Sequence, residues 1–122
     1  MTLYVCAMMS MTTYAQTMAD VLRTMPDSIL PLLTQNDRLD LVDEWQGGVK
    51  AEVRNRLGGM VTLTELTDTS AHLKMSDLSE VTLELRNEGT GTGKYIRLVH
   101  SCTVDGIVDQ RERRFTLDWK SK

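Results

Sequence analysis

Basic residues are in deficit in this chain. Lys and Arg number 14 against 17 Asp and Glu in 122 residues, and the formal net charge is −3. A phosphate footprint needs a basic excess or stripe, so nucleic acid is excluded as the main partner. Cysteine is scarce as well. Cys6 and Cys102 are the only two, too few for a disulfide scaffold. There are two prolines and eight glycines, and 25% of residues are charged. That is neither low-complexity nor disordered composition. No apolar run reaches the roughly 20 residues that a membrane-spanning helix needs. What remains is a chain of one-domain length with a core-forming apolar fraction of 41%.

Charge is absent from the start of the chain. No Asp, Glu, Lys, Arg or His precedes Asp20, and Leu3 to Met11 is apolar except for Ser10. A short apolar core followed by small residues is the pattern of export. Residues 1–15 therefore read as a signal peptide, cut after Thr13-x-Ala15 to leave Gln16 first. Its basic n-region is missing. The expected location is the periplasm or cell envelope, and residues 16–122 form the expected single domain.

Met18, Val21, Leu22 and Met25 fall on one helical face, and Pro26 ends that helix. A short second helix is expected after Asp27 or Ser28, with Pro31 in its first turn. Thr34 and Asp37 form a capping box for a longer helix carrying Leu39, Val42, Trp45, Val49, Val53 and Leu57. Gly47-Gly48 can kink or break it, and Gly58-Gly59 stops it. The carboxylates Asp37, Asp40, Asp43 and Glu44 read as a solvated face near its N-terminus, where the helix dipole favours negative charge.

Beyond Gly59 the apolar period becomes 2. Val61 and Leu63, then Ala71, Leu73 and Met75, then Val81, Leu83 and Leu85, then Ile96 and Leu98 mark strands. Gly89 to Gly93 is a loop, since no P-loop pattern follows it. Asp105-Gly106 predicts a type I′ hairpin with Val104 against Ile107, Cys102 against Asp109 and His100 against Arg111. The expected fold is α+β: two to three N-terminal helices on one face of an antiparallel sheet of four to five strands. Val42, Trp45, Val49 and Val53 are expected to pack on Leu73, Val81, Leu83, Leu85, Ile96 and Leu98.

Two weak candidate sites emerge. His100, Cys102 and Asp109 would sit together on the hairpin, as a zinc site or a thiol nucleophile requires. Arg111, Arg113 and Arg114 could bind an anion, although charge on an edge strand more often discourages pairing with another molecule. No convincing catalytic constellation, metal cluster or cofactor loop is present. The sequence reads as a non-catalytic binding protein without a cofactor. Its partner would be an unknown protein or small ligand in the envelope, with no nucleic acid and no membrane span. Self-association through the C-terminal edge strand is a further option. The alternative is a small thiol- or metal-dependent enzyme centred on His100 and Cys102.

Met25-Pro26-Asp27-Ser28, Leu30-Pro31, Leu33-Thr34 and Asn36 to Asp43 follow in order. With Leu57-Gly58-Gly59, Leu66-Thr67-Asp68 and Asp118-Trp119, they resemble a Bacteroidales family of small exported proteins of unknown function. The resemblance spans residues 17 to 119. It implies an envelope location and a signal peptide, and it implies no activity. Members of that family run past the Asp-Trp pair, so the chain reads as a short or truncated member.

Overall fold

The computed structural model describes residues 17–89 and 93–122. The expected signal peptide, Cys6 and the middle of the 89–93 loop lie outside the described residues. Helix α1 spans Met18–Thr24, and Thr17 caps it by accepting the Asp20 N–H at 3.3 Å. Helix α2 spans Gln35–Gln46. Its capping box forms as expected: the Thr34 hydroxyl accepts the Asp37 N–H and the Asp37 carboxylate accepts the Thr34 N–H. Strands follow as β1 Glu52–Arg54, β2 Met60–Leu66, β3 Ser70–Ser76, β4 Ser79–Asn87, β5 Lys94–Val104 and β6 Ile107–Phe115. They form one antiparallel meander in chain order, with β1 and β6 at its edges. The expected α+β class holds, with two helices and six strands among the described residues in place of the four to five strands expected.

Three expectations are corrected. The short second helix is absent. Residues 26–33 instead form two successive turns, closed by Ile29 N–H to Pro26 and Leu33 N–H to Leu30. Pro31 takes the second position of the latter turn, which its fixed φ suits. The long helix ends at Gln46 rather than Leu57. Gly48 at φ 80° lets the Val49 N–H reach back to Glu44 and the Gly48 N–H to Trp45. That closure terminates a helix and needs the left-handed conformation that glycine adopts freely. Val49, expected in the core, and Leu57, expected on the same helical stripe, are exposed at 60% and 81%. Val53 instead lies in β1, opposite Val61.

The core lies between the helices and one face of the sheet. Met18, Leu22, Leu41 and Val42 meet Leu73, Val81, Leu83 and Ile96. One charged residue is fully buried there. Arg38 donates to the carbonyls of Leu22 (3.0 Å), Leu33 (2.9 Å) and Met25, and to the Asp27 carboxylate (3.1 Å). A guanidinium has enough donors for all four. It ties α2 to the end of α1 and to the double turn between them. The helices lie against β1, β2 and β4. The far half of the β5–β6 hairpin extends beyond them, so His100, Val104, Ile107 and Arg111 are exposed.

Candidate functional site

The hairpin forms as the sequence predicts. Asp105 (φ 52°) and Gly106 (φ 79°) make the type I′ turn. The register sets Val104 against Ile107, Cys102 against Asp109, His100 against Arg111 and Ile96 against Phe115. Side chains alternate between faces along a strand. His100, Cys102, Asp109, Arg111 and Arg113 therefore share the helix-side face with Ile96 and Leu98, in the half that neither α1 nor α2 covers.

Of the three residues expected to meet there, the structure brings two together. Cys102 Sγ lies 3.7 Å from His100 Nε2. Asp109 turns away along its own strand to Arg111 Nε at 3.4 Å. The third member is Ser79, which sequence reasoning missed: its Oγ is 2.8 Å from His100 Nε2. Ser79 reaches the cluster because β4 pairs with β5 so that it faces Cys102. Its signal was the core-face parity it shares with Val81, Leu83 and Leu85. Among the described residues, no group of three His, Cys, Asp or Glu side chains could hold a metal ion. The Cys102 thiol and the Ser79 hydroxyl approach the same ring nitrogen, His100 Nε2, so they share one hydrogen-bonding position and do not form a relay through the imidazole. The cluster stands on an open sheet face.

The three arginines of β6 are distributed over different partners. Arg113 lies over the Phe115 ring, 4.9 Å from its centroid, and Arg114 over Tyr95 at 5.4 Å. On the helix-free face a charge ladder crosses three strands. Arg86 and Arg97 both contact Glu84 at 3.0 Å, Arg97 continues to Glu112 at 3.2 Å, and Glu112 accepts from Arg114 at 2.7 Å. Burial raises the Glu84 carboxyl, but the hydrogen bonds from Arg97 and Arg86 outweigh it and hold it below the ordinary range. Arg114, then Arg97, do the same for Glu112. The arginines thus carry carboxylate or aromatic partners already, which lowers their value as an anion site.

After β6 the chain folds back. Trp119 packs against Phe115 in a tilted arrangement, ring centroids 5.3 Å apart, and its indole N–H donates to the Thr24 hydroxyl at 3.3 Å. The Lys122 N–H then donates to the Arg114 carbonyl at 3.0 Å, and Ser121 bridges Phe115. Between this tail and the strand lies an open groove of about 460 Å³, lined by Glu112, Arg113, Arg114, Phe115, Ser121 and Lys122. Upstream of the tail, the edge of β6 has no strand neighbour among the described residues. Among the described residues, no helix is long and apolar enough to cross a membrane.

Among the described residues, a two-helix layer on a six-stranded antiparallel meander, with an open edge strand and an exposed polar cluster, defines a small α+β domain. The chain belongs to the family described as "Protein of unknown function (DUF3256)", whose model matches residues 10–121. Among solved structures it is similar to a domain of an uncharacterized protein from Porphyromonas gingivalis W83, a Bacteroidales organism, with a TM-score of 0.71 and 22% identity. The match covers 86% of this chain and 52% of the other, so this chain spans about half the length of that one. At that identity the likeness shows the fold. No curated protein matches the chain.

Proposed function

We propose that the protein is a non-catalytic interaction module of the periplasm or cell envelope and that the outer edge of β6 is its binding surface. One observation carries the reading. Among the described residues, β6 ends a continuous six-stranded sheet and is exposed along Ile107 to Arg113. In a hairpin with a two-residue turn, the residues flanking the turn exchange hydrogen bonds, and the pattern alternates from there. Ile107, Asp109, Arg111 and Arg113 thus point their backbone groups at β5. Val108, Gln110 and Glu112 point theirs outward, as Arg114 does to Lys122. Such a row accepts an extended strand from a partner. Export is supported by the charge-free start and the Thr13-x-Ala15 cleavage pattern.

Amide hydrogen exchange tests the surface. In an envelope extract of the source organism, Val108, Gln110 and Glu112 amides should gain protection. Gln110→Pro, which removes one outward N–H, should abolish the gain. Unchanged exchange at all three amides overturns the reading. N-terminal sequencing of the exported protein should begin at Gln16, and a retained Met1 overturns the export reading.

A second reading, a thiol- or metal-dependent centre, is favoured by the 3.7 Å approach of Cys102 to His100. It requires stoichiometric zinc, or a thiol that alkylates far faster than a free cysteine and loses that advantage in His100→Gln.

A further inference from the structure

From the edge geometry we infer that β6 takes the β6 strand of a second copy, antiparallel, with Gln110 facing Gln110 across a two-fold axis. The inference rests on the edge being the binding surface and adds the identity of the occupant.

The open stretch is bounded at both ends. The Asp105-Gly106 turn precedes Ile107, and beyond Arg113 the tail occupies the Arg114 carbonyl through the Lys122 N–H. The midpoint of Ile107 to Arg113 is Gln110. Pairing about that midpoint lays the whole open stretch of one copy on the whole open stretch of the other. Val108 then meets Glu112 and Gln110 meets Gln110, and these are the residues whose backbone groups point outward. The ladder closes without disturbing β5.

Charge selects the same register. A continuous sheet keeps matching faces together, so residues pair with partners of equal parity. With Gln110 on the axis, Asp109 faces Arg111 on both sides of it. Moving the axis to Arg111 sets Arg111 against itself. Moving it to Glu112 sets Glu112 against itself and Arg111 against Arg113. Moving it to Asp109 sets Asp109 against itself. Opposite charges directly across a strand pair stabilise it and like charges destabilise it. An axis at Val108 sets no like charges together either, but it pairs only Ile107 to Asp109 of the strand; among the registers that use most of the open stretch, the one centred on Gln110 alone has no like-charge pair. The helices lie over β1, β2 and β4, and their contact with the chain after β6, Thr24 with Trp119, falls beyond Arg113, so among the described residues both copies keep the Ile107 to Arg113 edge clear.

Asp109 and Arg111 are largely exposed, with side chains 66% and 81% accessible, so reversing either leaves the fold intact. Sedimentation equilibrium over a range of concentrations should show a monomer–dimer equilibrium that weakens with salt. Asp109→Arg and Arg111→Asp should each raise the dissociation constant roughly tenfold or more, because each turns two attractive pairs into two repulsive ones. The double variant Asp109→Arg/Arg111→Asp should recover most of the loss, since the pairs are merely exchanged. Gln110→Pro should abolish the dimer. A wild-type protein that stays monomeric overturns the inference. So does a dimer insensitive to both single reversals, and so does a double variant weaker than either single one. A monomeric protein whose β6 amides are still protected in extract overturns the second copy alone. Absence of both effects overturns the edge reading as well.

Discussion

Replacing Arg38 by Met tests what holds the helix layer in place. Methionine fills a comparable volume and supplies no donors. The carbonyls of Leu22, Leu33 and Met25 then lose the guanidinium, and all three bonds lie in the interior. A buried acceptor left without a partner costs about 1–3 kcal/mol. The opposing effect is relief from burying a charge, since its ion-pair partner Asp27 is half exposed and compensates it only in part. Taking the middle of the first range for three carbonyls and allowing half for the second leaves a net loss of about 3 kcal/mol. A domain of this size has roughly 5–15 kcal/mol in total and loses on the order of 4–8 °C per kcal/mol. The variant should melt at least ~12 °C lower in circular dichroism, with a matching fall in urea midpoint and an unchanged m-value. Asp27→Asn, which keeps the three carbonyl bonds, should cost less than about 1 kcal/mol. An Arg38→Met variant within ~1 kcal/mol of wild type would refute the argument, because it would show that water or rearranged backbone serves those carbonyls equally well.

Trp45→Ala should cost about 1.5–3 kcal/mol, below the 3–5 of a fully buried ring, because Trp45 packs on the core only in part; denaturant midpoints decide, and a loss under ~0.5 kcal/mol would make it a surface residue. Gly106→Ala should cost about 1 kcal/mol, since φ 79° strains any L side chain there, and an unchanged melting temperature would contradict the type I′ turn. Arg97→Met should destabilise the protein in a pH-dependent way. Arg97 helps hold the Glu84 and Glu112 carboxyls below their ordinary value of 4.5, so that stabilisation is complete above it and lost as pH falls through the depressed folded values. The gap between wild-type and variant melting temperatures should therefore be widest near neutrality and shrink below about pH 4.5; a constant gap would refute the assignment.

Local signals were the most legible. The Asp105-Gly106 turn determines a register by itself, and each pairing expected from it is present. The capping box is equally local. The α2 stripe was read less well. Val49, Val53 and Leu57 continue the helical period past Gln46, yet the glycine closure at Gly48 overrides propensity and periodicity together. The buried face of α2 runs through Arg38, Leu41, Val42 and Trp45 at helical spacing, but an arginine reads as a solvent residue in any apolar pattern. Strand β1 was missed because Glu52–Arg54 is too short to show alternation and exists through its pairing with β2. Ser79 was missed for a related reason. Its place beside His100 is set by the β4–β5 register, a long-range property that no local motif encodes.

The first part of the string that carries the family resemblance, Met25 to Asp37, is what Arg38 gathers. Arg38 bonds Met25, Asp27 and Leu33 directly, and the Thr34–Asp37 box positions the helix that presents it. In this chain that string has a structural explanation: it clamps the helices over β1, β2 and β4. Nothing in it reaches the exposed half of the β5–β6 hairpin, where His100, Cys102, Asp109 and Arg111 stand. Stability and association should therefore separate by mutation. Arg38→Met should lower the melting temperature and leave the dissociation constant of the folded fraction unchanged, because the guanidinium's partners Leu22, Met25, Asp27 and Leu33 all lie in the helix layer and none belongs to β6. Gln110→Pro should do the reverse. Its N–H points outward and serves no bond within the fold, and proline is tolerated at an edge position of that kind. Its melting temperature should stay within a few degrees of wild type while association is lost. If Gln110→Pro melts as low as Arg38→Met, the Gln110 N–H lies inside the sheet, and the outward row on which the interface depends does not exist.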